Sequence, residues 1–511
     1  MGKLGEILSH PGEILPLARM YRAAKRAAKL PKDPDLAFCY GMLNDVSRSF
    51  AIVIQQLPNP LRDAICIFYL VLRGLDTVED DMALDVGFKV PELKRFHERI
   101  YERGFTMACG YNHYQRLMAQ FGTVVNVFLG LEERHQQVIA DITRRMGYGM
   151  AEFIEKEVKT VADYDLYCHY VAGLVGIGLS QLFAASGLEA PSVAAQEELA
   201  NHMGLFLQKT NIIRDYLEDI LEEPAPRMFW PREIWGRYGS SLEDFQQPAN
   251  RKQAVQCLNH MVTDALRHVP HCMRYLEQLQ HVMVFRFCAI PQIMAAGTLA
   301  LCYNNGGVFE GVVKMRRGET ATVFETCSNL GDVYGWFLRF LEILEEKVCS
   351  QAAADDPTLP ETRQIVTTTR QLCSKGLQQY RVAHPPPSDG PLALLRDFGA
   401  LALTATYAYY VWGLGGPDSL PAALQPYAGA AASGGAAEVR GAAGWVRGGG
   451  CRRQRRRRCR KPGARIPRND NLLYKMKMRR NEVDWGDEGV VGCSREGCLW
   501  FSNGESDVND T

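Results

Sequence analysis

The spacing of the apolar residues constrains the fold of this chain more than any other feature of its sequence. Between residues 35 and about 350, apolar side chains recur mostly every three or four positions, and proline is absent from residues 92–190 and 292–356. Such a period is typical of one face of a helix, whereas strands alternate every two residues. The sequence therefore predicts an all-α domain.

One segment shows the pattern clearly. Asn59 and Pro60 are predicted to supply the N-cap and the first position of a helix, and an apolar stripe then runs from Leu61 to Val78. The glycine-rich residues 172–180, AGLVGIGLS, lack the G-x-G-x-x-G spacing of a dinucleotide-binding loop. We expect these glycines to lie within a helix.

The composition sets limits on the compartment and on the partners. With 47% hydrophobic and 23% charged residues, most of the 511 residues are expected to fold. Basic and acidic residues both total 58, so the net charge predicts no nucleic-acid partner. Eleven of the fifteen cysteines are scattered singly between Cys39 and Cys373, which favours a reducing compartment. The N-terminus has no continuous apolar run, and its acidic residues argue against a transit peptide.

The C-terminal quarter has a different character. The motif HPPPSDG opens a predicted linker, and the seventeen uncharged residues 398–414 have the minimum length for a membrane span. A buried or interfacial helix is the alternative. Residues 415–511 are of low complexity and are predicted to be disordered. The run RRQRRRR at 452–458 fits contact with anionic lipid or nucleic acid, or simply a solvated tail.

Two acidic clusters interrupt strongly apolar helical segments. DTVEDD at residues 76–81 places Asp76 and Asp80 on one helix face with Glu79 beside them. In the second cluster, side chains spaced three, four and four residues apart form one polar stripe: Gln208, Asn211, Asp215 and Asp219. Two such acid ladders facing each other would form an oxygen-rich cage that suits Mg²⁺. A single cluster of this kind more often lies on a solvated helix surface.

Basic and aromatic residues near these ladders suggest the substrate. Arg48, Arg73 and Arg214 have the guanidinium geometry that suits phosphate oxygens. Carboxylates for a metal together with arginines for phosphate indicate a Mg²⁺–diphosphate site, and the apolar walls indicate a greasy substrate. Loss of diphosphate would leave a carbocation that aromatic rings can shield: Phe50, Tyr69, Phe206 and Phe287.

Several sequence blocks, in order along residues 35–350, together resemble the squalene synthases (farnesyl-diphosphate farnesyltransferases) of the phytoene/squalene synthase family. They are SRSFAIVIQQL (47–57), FYLVLRGLDTVEDDM (68–82), YCHYVAGLVGIGLSQLF (167–183), MGLFLQKTNIIRDYLED (203–219), FWPREIW (229–235), FCAIPQIMA (287–295) and CYNN (302–305). The resemblance implies the all-α isoprenoid synthase fold, a single large helical domain around a central cavity. It also implies Mg²⁺-dependent head-to-head condensation of two farnesyl diphosphates to presqualene diphosphate, followed by NADPH-dependent formation of squalene.

The resemblance also implies roles for individual residues. The metal-binding acids would be Asp76, Glu79, Asp80, Asp215 and Asp219. Tyr167 would act in the first half-reaction and Phe287 near the second. The substrate would be bound by Ser47, Arg48, Ser49, Phe50, Tyr69, Arg73, Gln208, Asn211 and Arg214. NADPH would be bound by Arg48, Arg73, Arg214, Lys314 and Arg316.

The family comparison leaves one enzymatic alternative, a phytoene synthase-like prenyltransferase that needs no NADPH. It further implies a monomer in the endoplasmic reticulum membrane, anchored through its C-terminal segment with the catalytic domain facing the cytoplasm. The predicted organisation is an N-terminal lead-in (1–34), a catalytic domain (35–383), a linker (384–397), a membrane anchor (398–414) and a disordered tail (415–511).

Overall fold

In the computed structural model, helices form nearly all of the regular structure of the part of the chain described below. The structure describes residues 9–27, 29–222, 226–350 and 355–385. Within these ranges there is no strand, as the apolar spacing predicted. The predicted anchor and tail lie outside the described residues, as does all of the predicted linker beyond Pro385.

Twenty α-helices follow one another in the described residues. They are α1 (Ile14–Ala27), α2 (Pro34–Val46), α3 (Arg48–Ile54), α4 (Leu61–Asp80), α5 (Val86–Arg99), α6 (Asn112–Ala119), α7 (Phe121–Leu129), α8 (Glu133–Phe153), α9 (Val161–Cys168), α10 (Leu174–Ala185), α11 (Pro191–Ala194), α12 (Glu197–Arg214), α13 (Tyr216–Ile220), α14 (Arg232–Trp235), α15 (Arg251–Leu266), α16 (Val269–Leu276), α17 (Val282–Cys302), α18 (Arg317–Thr326), α19 (Leu330–Val348) and α20 (Leu359–Ala383). A π-helical turn, His169–Gly173, joins α9 to α10, and short 3₁₀ turns lie at Pro11–Glu13, Glu243–Gln246, Pro248–Asn250 and Gly306–Phe309.

Helix α4 begins one residue later than the sequence predicted. Pro60 is the N-cap residue and no side chain caps this end, so the assignment of Asn59 as N-cap was wrong. The Pro58 carbonyl accepts a hydrogen bond from the backbone N–H of Arg62 at 3.0 Å. A donor of the first turn is thus satisfied by the preceding backbone and needs no capping side chain.

The core is built around helices that are buried on nearly every side. Helix α4 packs against α2, α5, α7 and α8, and α12 packs against α10, α15, α16, α17 and the π-helical turn. Two stretches, Val161–Ala185 and Val282–Cys302, are long and apolar enough to cross a membrane, but most of each is buried inside the protein. A helix that is buried on all sides has apolar residues along its whole length. Both stretches are therefore core helices of this domain.

Glycines on both sides allow α12 to approach the AGLVGIGLS block closely. A Cβ atom on Gly204 of α12 would lie 2.2 Å from the carbonyl oxygen of Ala172, and one on Gly176 would lie 2.4 Å from the carbonyl oxygen of Ala200. Both contacts are with backbone atoms, which cannot rotate away. As predicted, the block lies in helical structure, and its small residues serve helix packing rather than nucleotide binding.

The described cysteines are all free thiols, ten of them buried and Cys349 exposed.

Candidate active site

The first acidic cluster occupies the last turn of α4. Asp76 and Glu79 are almost fully buried and Asp80 is partly exposed. Both carboxylate oxygens of Asp76 are buried, and neither accepts a hydrogen bond from any described residue. Its nearest cation is Arg73, whose Nη1 lies 3.9 Å from Oδ2, too far for a hydrogen bond. A buried carboxylate with no donor is expensive, and such a group is suited to binding a cation.

Arg227 contacts the same cluster, although the sequence did not point to it. Its guanidinium forms ion pairs with both Glu79 and Asp80, and its backbone N–H donates to the carbonyl oxygen of Asp219 at 3.0 Å. This one residue therefore connects the two acidic clusters. A lone arginine in a loop has no periodic pattern around it, so no local signal in the sequence marks it as a site residue.

A second unpredicted cation, Lys89, closes the buried side of the first cluster. The Lys89 ammonium is nearly inaccessible and donates to the backbone carbonyl of Glu79 at 2.9 Å. Burial lowers the pKa of Lys89. This lysine supports the end of α4 through its hydrogen bond to the helix backbone.

The second acidic cluster lies where α12 ends. The sequence predicted that Gln208, Asn211, Asp215 and Asp219 form one polar stripe. The structure has a one-residue break in this segment, because α12 stops at Arg214, Asp215 departs from the regular helical conformation, and α13 follows. Arg214 donates two hydrogen bonds of 2.6 Å to the neighbouring Asp215 carboxylate. Adjacent side chains on a regular helix do not face each other, so this pairing accompanies the break. Gln208 and Asn211 are buried on the same helix.

The two clusters have matching electrostatics. Burial raises the pKa of Asp76 well above its usual range; Arg73 opposes this shift and Asp80 adds to it. Burial likewise raises the pKa of Asp219, with the Asp215 carboxylate adding to the shift and Arg227 opposing it. Each cluster thus holds more negative charge than its surroundings stabilise. A divalent cation would relieve this excess, so the oxygen donors present fit Mg²⁺.

Aromatic rings and Arg73 form a wall beside the first cluster. The Phe50 ring lies 5.1 Å from that of Phe287 and 5.9 Å from that of Tyr69. The Arg73 guanidinium lies over the rings of Tyr69 and Tyr114, at 5.7 and 5.5 Å, and donates to the Tyr69 hydroxyl at 3.2 Å. A small apolar cavity opens next to this wall, lined by Phe50, Ile65, Phe68, Tyr69, Leu72, Val175 and Leu179.

The segment before Phe50 contributes one described side chain, that of Ser47, which is buried at the start of α3. The side chains of Arg48 and Ser49 lie outside the described part of the structure, so their predicted contacts with substrate and cofactor stay predictions.

Tyr167 is connected to the first cluster through an aromatic contact. Its ring stacks on Phe229 with a centroid distance of 3.9 Å and an interplanar angle of 8°. The Arg227 guanidinium lies over the Phe229 ring at 5.4 Å. Tyr167 is buried in the last turn of α9, which Thr160 and Asp163 begin with a reciprocal capping box. Phe229 lies in the block FWPREIW, but the sequence analysis predicted no role for it.

The two predicted basic residues of the segment KMRRG (314–318) lie in different surroundings. Lys314 is exposed. Burial raises the pKa of Glu218, next to the second cluster, and the nearby Lys314 ammonium opposes this shift. Arg316 is the N-cap residue of α18 and pairs with Glu13 at 2.9 Å. Of the two, Lys314 is the one that faces the acidic site.

Comparisons with known proteins agree with this arrangement. Residues 43–319 match the model of the squalene/phytoene synthase family. The chain is 54% identical over 419 residues to "Squalene synthase LSS" of Botryococcus braunii, covering 81% of this chain and 90% of that protein. It is 51% identical over 411 residues to "Squalene synthase 1" of Arabidopsis thaliana, covering 80% of this chain and 99% of that protein.

A solved structure is similar as well. A complex of TcSQS with the ligand E5700 is 46% identical and covers 68% of this chain and all of that one, with a TM-score of 0.66. The helical fold, the paired acidic clusters and these relatives lead to one assignment: the chain belongs to the squalene/phytoene synthase family.

Proposed function

We propose that this protein is a squalene synthase. Two farnesyl diphosphates are joined head to head to give presqualene diphosphate, with loss of one diphosphate and one proton. Presqualene diphosphate then loses its diphosphate, rearranges and accepts hydride from NADPH, which gives squalene and NADP⁺. Relatives named squalene synthase, which are more than half identical over about four-fifths of the chain, support this proposal.

The observation that carries the proposal is the unsatisfied Asp76 carboxylate inside a double acidic site. We propose that Asp76, Glu79 and Asp80 on one side, and Asp215 and Asp219 on the other, hold Mg²⁺. When bound, Mg²⁺ would neutralise the diphosphate and make it a better leaving group. The raised pKa values of Asp76 and Asp219 favour a functional site over a solvated helix surface.

Arginines near the acids are proposed to bind the diphosphate, and aromatic rings are proposed to stabilise the carbocation. Arg227, Arg73 and Arg214 lie beside the acids, where guanidinium groups can donate to diphosphate oxygens. The wall of Phe50, Tyr69 and Phe287 excludes water and stabilises a carbocation through its π faces. Water exclusion matters because a carbocation that meets water becomes an alcohol.

We propose that the Tyr167 hydroxyl assists the first half-reaction, in which a proton must leave the substrate. The ring is held by its stack on Phe229, so the hydroxyl has a fixed position. A phenol close to diphosphate and carbocation is a suitable proton-transfer group.

NADPH is proposed as the hydride donor from the family resemblance. Lys314 is the described cation that best fits its phosphates, because it is exposed and lies beside the second acidic cluster. Arg73 and Arg214 lie deeper among the acids, where they suit the substrate diphosphate. Arg316 would have to leave Glu13 to reach a cofactor.

We further propose a monomer that acts at the endoplasmic reticulum membrane with its catalytic domain in the cytoplasm. The uncharged residues 398–414 would serve as its anchor. Farnesyl chains and squalene are strongly apolar, so a site next to a bilayer suits both the entry of substrate and the release of product.

A product assay distinguishes this proposal from the phytoene synthase-like alternative. Full-length protein in detergent would receive labelled farnesyl diphosphate and Mg²⁺, with and without NADPH. Squalene with NADPH, and presqualene diphosphate or its derived alcohols without it, is the expected result. Turnover restricted to the C20 diphosphate, or products that do not respond to NADPH, would refute it.

A further inference from the structure

Three histidines and a glutamate meet at a place that takes no part in the proposed reaction. Glu198 and His202 lie on the first half of α12, and His268 and His271 lie at the start of α16. The side-chain ligand atoms of Glu198, His202 and His271 are all within 4.8 Å of one another. His202 is thirteen residues from Asp215, about 20 Å along a helix, so this cluster is separate from the acidic site.

The contacts within the cluster bring imidazole nitrogens together. The ring centroids of His202 and His271 are 3.8 Å apart, and Nδ1 of His202 lies 2.7 Å from Nδ1 of His268. Only one proton fits between two nitrogens at that distance, so at least one of them presents a lone pair. The other nitrogen of His268, Nε2, is buried and has no hydrogen-bond partner among the described residues. Hydrogen bonding within the protein therefore leaves the cluster incompletely satisfied.

We propose that Glu198, His202 and His271 bind Zn²⁺ or a related divalent transition metal. Two imidazoles and one carboxylate favour such ions over Mg²⁺, which prefers oxygen alone. Glu198 and His202 are four residues apart and share one helix face, while His271 approaches from the second helix. His268 holds His202 through the Nδ1 contact and acts as a positioning residue.

The geometry needs only a small contraction. Ligand bonds to Zn²⁺ are about 2.0–2.2 Å, which places tetrahedral ligand atoms roughly 3.5 Å apart. Glu198 is exposed and free to rotate, so it can supply most of the movement from 4.8 Å. Three protein ligands leave a fourth position for water. The bound ion would join α12 to α16 and so stabilise the helix that ends at Arg214, next to the second acidic cluster.

Arg274 opposes metal binding in a way that can be tested. Its guanidinium donates to Nδ1 of His271 at 2.8 Å. If that nitrogen bound the metal, Arg274 would be displaced. If Nε2 bound instead, Nδ1 would carry the proton and could no longer accept from Arg274. Either way the hydrogen bond is lost, so removal of the Arg274 side chain should strengthen metal binding.

The test is a Co²⁺ titration of the full-length protein after chelator treatment, in excess Mg²⁺ so that the carboxylate-only sites are filled. One equivalent of Co²⁺ with the visible absorption of nitrogen and oxygen ligands is expected. His202→Ala and Glu198→Gln should each weaken binding at least about tenfold, Arg274→Ala should tighten it, and His97→Ala on α5 should leave it unchanged.

Two outcomes would overturn the proposal. The first is binding by His202→Ala and Glu198→Gln that equals the unmodified protein. The second is absorption with thiolate character that survives in both variants, which would assign the ion to cysteines. Since the Glu198 side chain is exposed, Glu198→Gln should fold normally, and a thermal unfolding curve without metal verifies this.

Discussion

Replacement of Arg227 by glutamine tests whether the Arg227 guanidinium neutralises, in the absence of metal, the same carboxylates that Mg²⁺ is proposed to bind. The guanidinium pairs with both Glu79 and Asp80, and the three side chains are 19%, 2% and 14% exposed. A surface ion pair contributes up to about 1 kcal/mol, and breaking a fully buried one costs about 3–5 kcal/mol. The partial exposure here places the expected loss between these limits, at about 2–3 kcal/mol without Mg²⁺.

Mg²⁺ should recover most of this loss, because it offers the same two carboxylates a new partner. Ligand at a hundred times its dissociation constant stabilises a protein by about 2.7 kcal/mol. In the unmodified protein Mg²⁺ must compete with Arg227, so the variant should show the larger stabilisation on adding Mg²⁺. Turnover should still fall by about a hundredfold, because a cation near the diphosphate is missing.

The measurement is urea unfolding of full-length protein followed by circular dichroism, with chelator and with saturating Mg²⁺. Arg237→Gln is the matched control, since Arg237 forms an exposed ion pair with Glu233 at 3.8 Å and should contribute less than about 1 kcal/mol. If both variants lose the same stability and respond equally to Mg²⁺, Arg227 does not have the role assigned to it.

Four further predictions concern the site and its support. Asp80→Asn and Asp215→Asn should each abolish squalene formation while the circular dichroism spectrum stays unchanged. Tyr167→Phe should block the first half-reaction while its ring still stacks on Phe229. Product analysis checks both predictions. Because burial raises the pKa of Asp76, the fold without metal binds the Asp76 proton more tightly than the unfolded chain does. The free energy of unfolding in chelator should therefore fall as pH rises through the folded-state pKa, whereas the affinity for Mg²⁺ should rise. Urea titrations across acidic and neutral pH measure both effects. Gly204→Ala should destabilise the fold by about 3 kcal/mol, because its Cβ would meet a backbone carbonyl at 2.2 Å, and the urea midpoint measures this.

Much of the arrangement follows from local sequence patterns. The period of three to four residues predicts the helices, and it also predicts that Asp76 and Asp80 lie on one face of α4. Burial of these acids is predictable from the apolar residues on both sides of them. Such inferences succeed because each depends on residues within two helical turns.

Features that depend on distant contacts were not predictable in this way. Arg227 reaches Glu79 and Asp80 across nearly 150 positions of sequence, and Phe229 meets Tyr167 through the same loop. The end of α12 at Arg214, where the Arg214 side chain pairs with the neighbouring Asp215, is also not predicted by helix periodicity alone. At Arg227 and Phe229, contacts between distant parts of the chain determine the arrangement, and local preference does not predict them.

Helix α12 has a central place in the site because separate contacts fix both of its halves. Gly204 lets it pack directly on the π-helical turn that follows α9. Further along, the buried Lys209 ammonium pairs with Asp165 of α9 at 2.5 Å and with Asp264 of α15 at 2.6 Å. A buried cation held by two carboxylates resists displacement, because moving either partner leaves a charge unpaired.

The same helix thus sets the distance between Tyr167 and the second acidic cluster, to which the two chemical roles are proposed to belong. Tyr167 lies two residues from Asp165 on α9, and Asp215 follows the end of α12. The Lys209 pairing therefore couples the position of the tyrosine hydroxyl to that of the second acidic cluster, while Arg227 and Phe229 couple both to the first cluster. A reaction that moves a carbocation between two bonds requires such fixed spacing, because an error of about 1 Å in the position of a reacting group is costly.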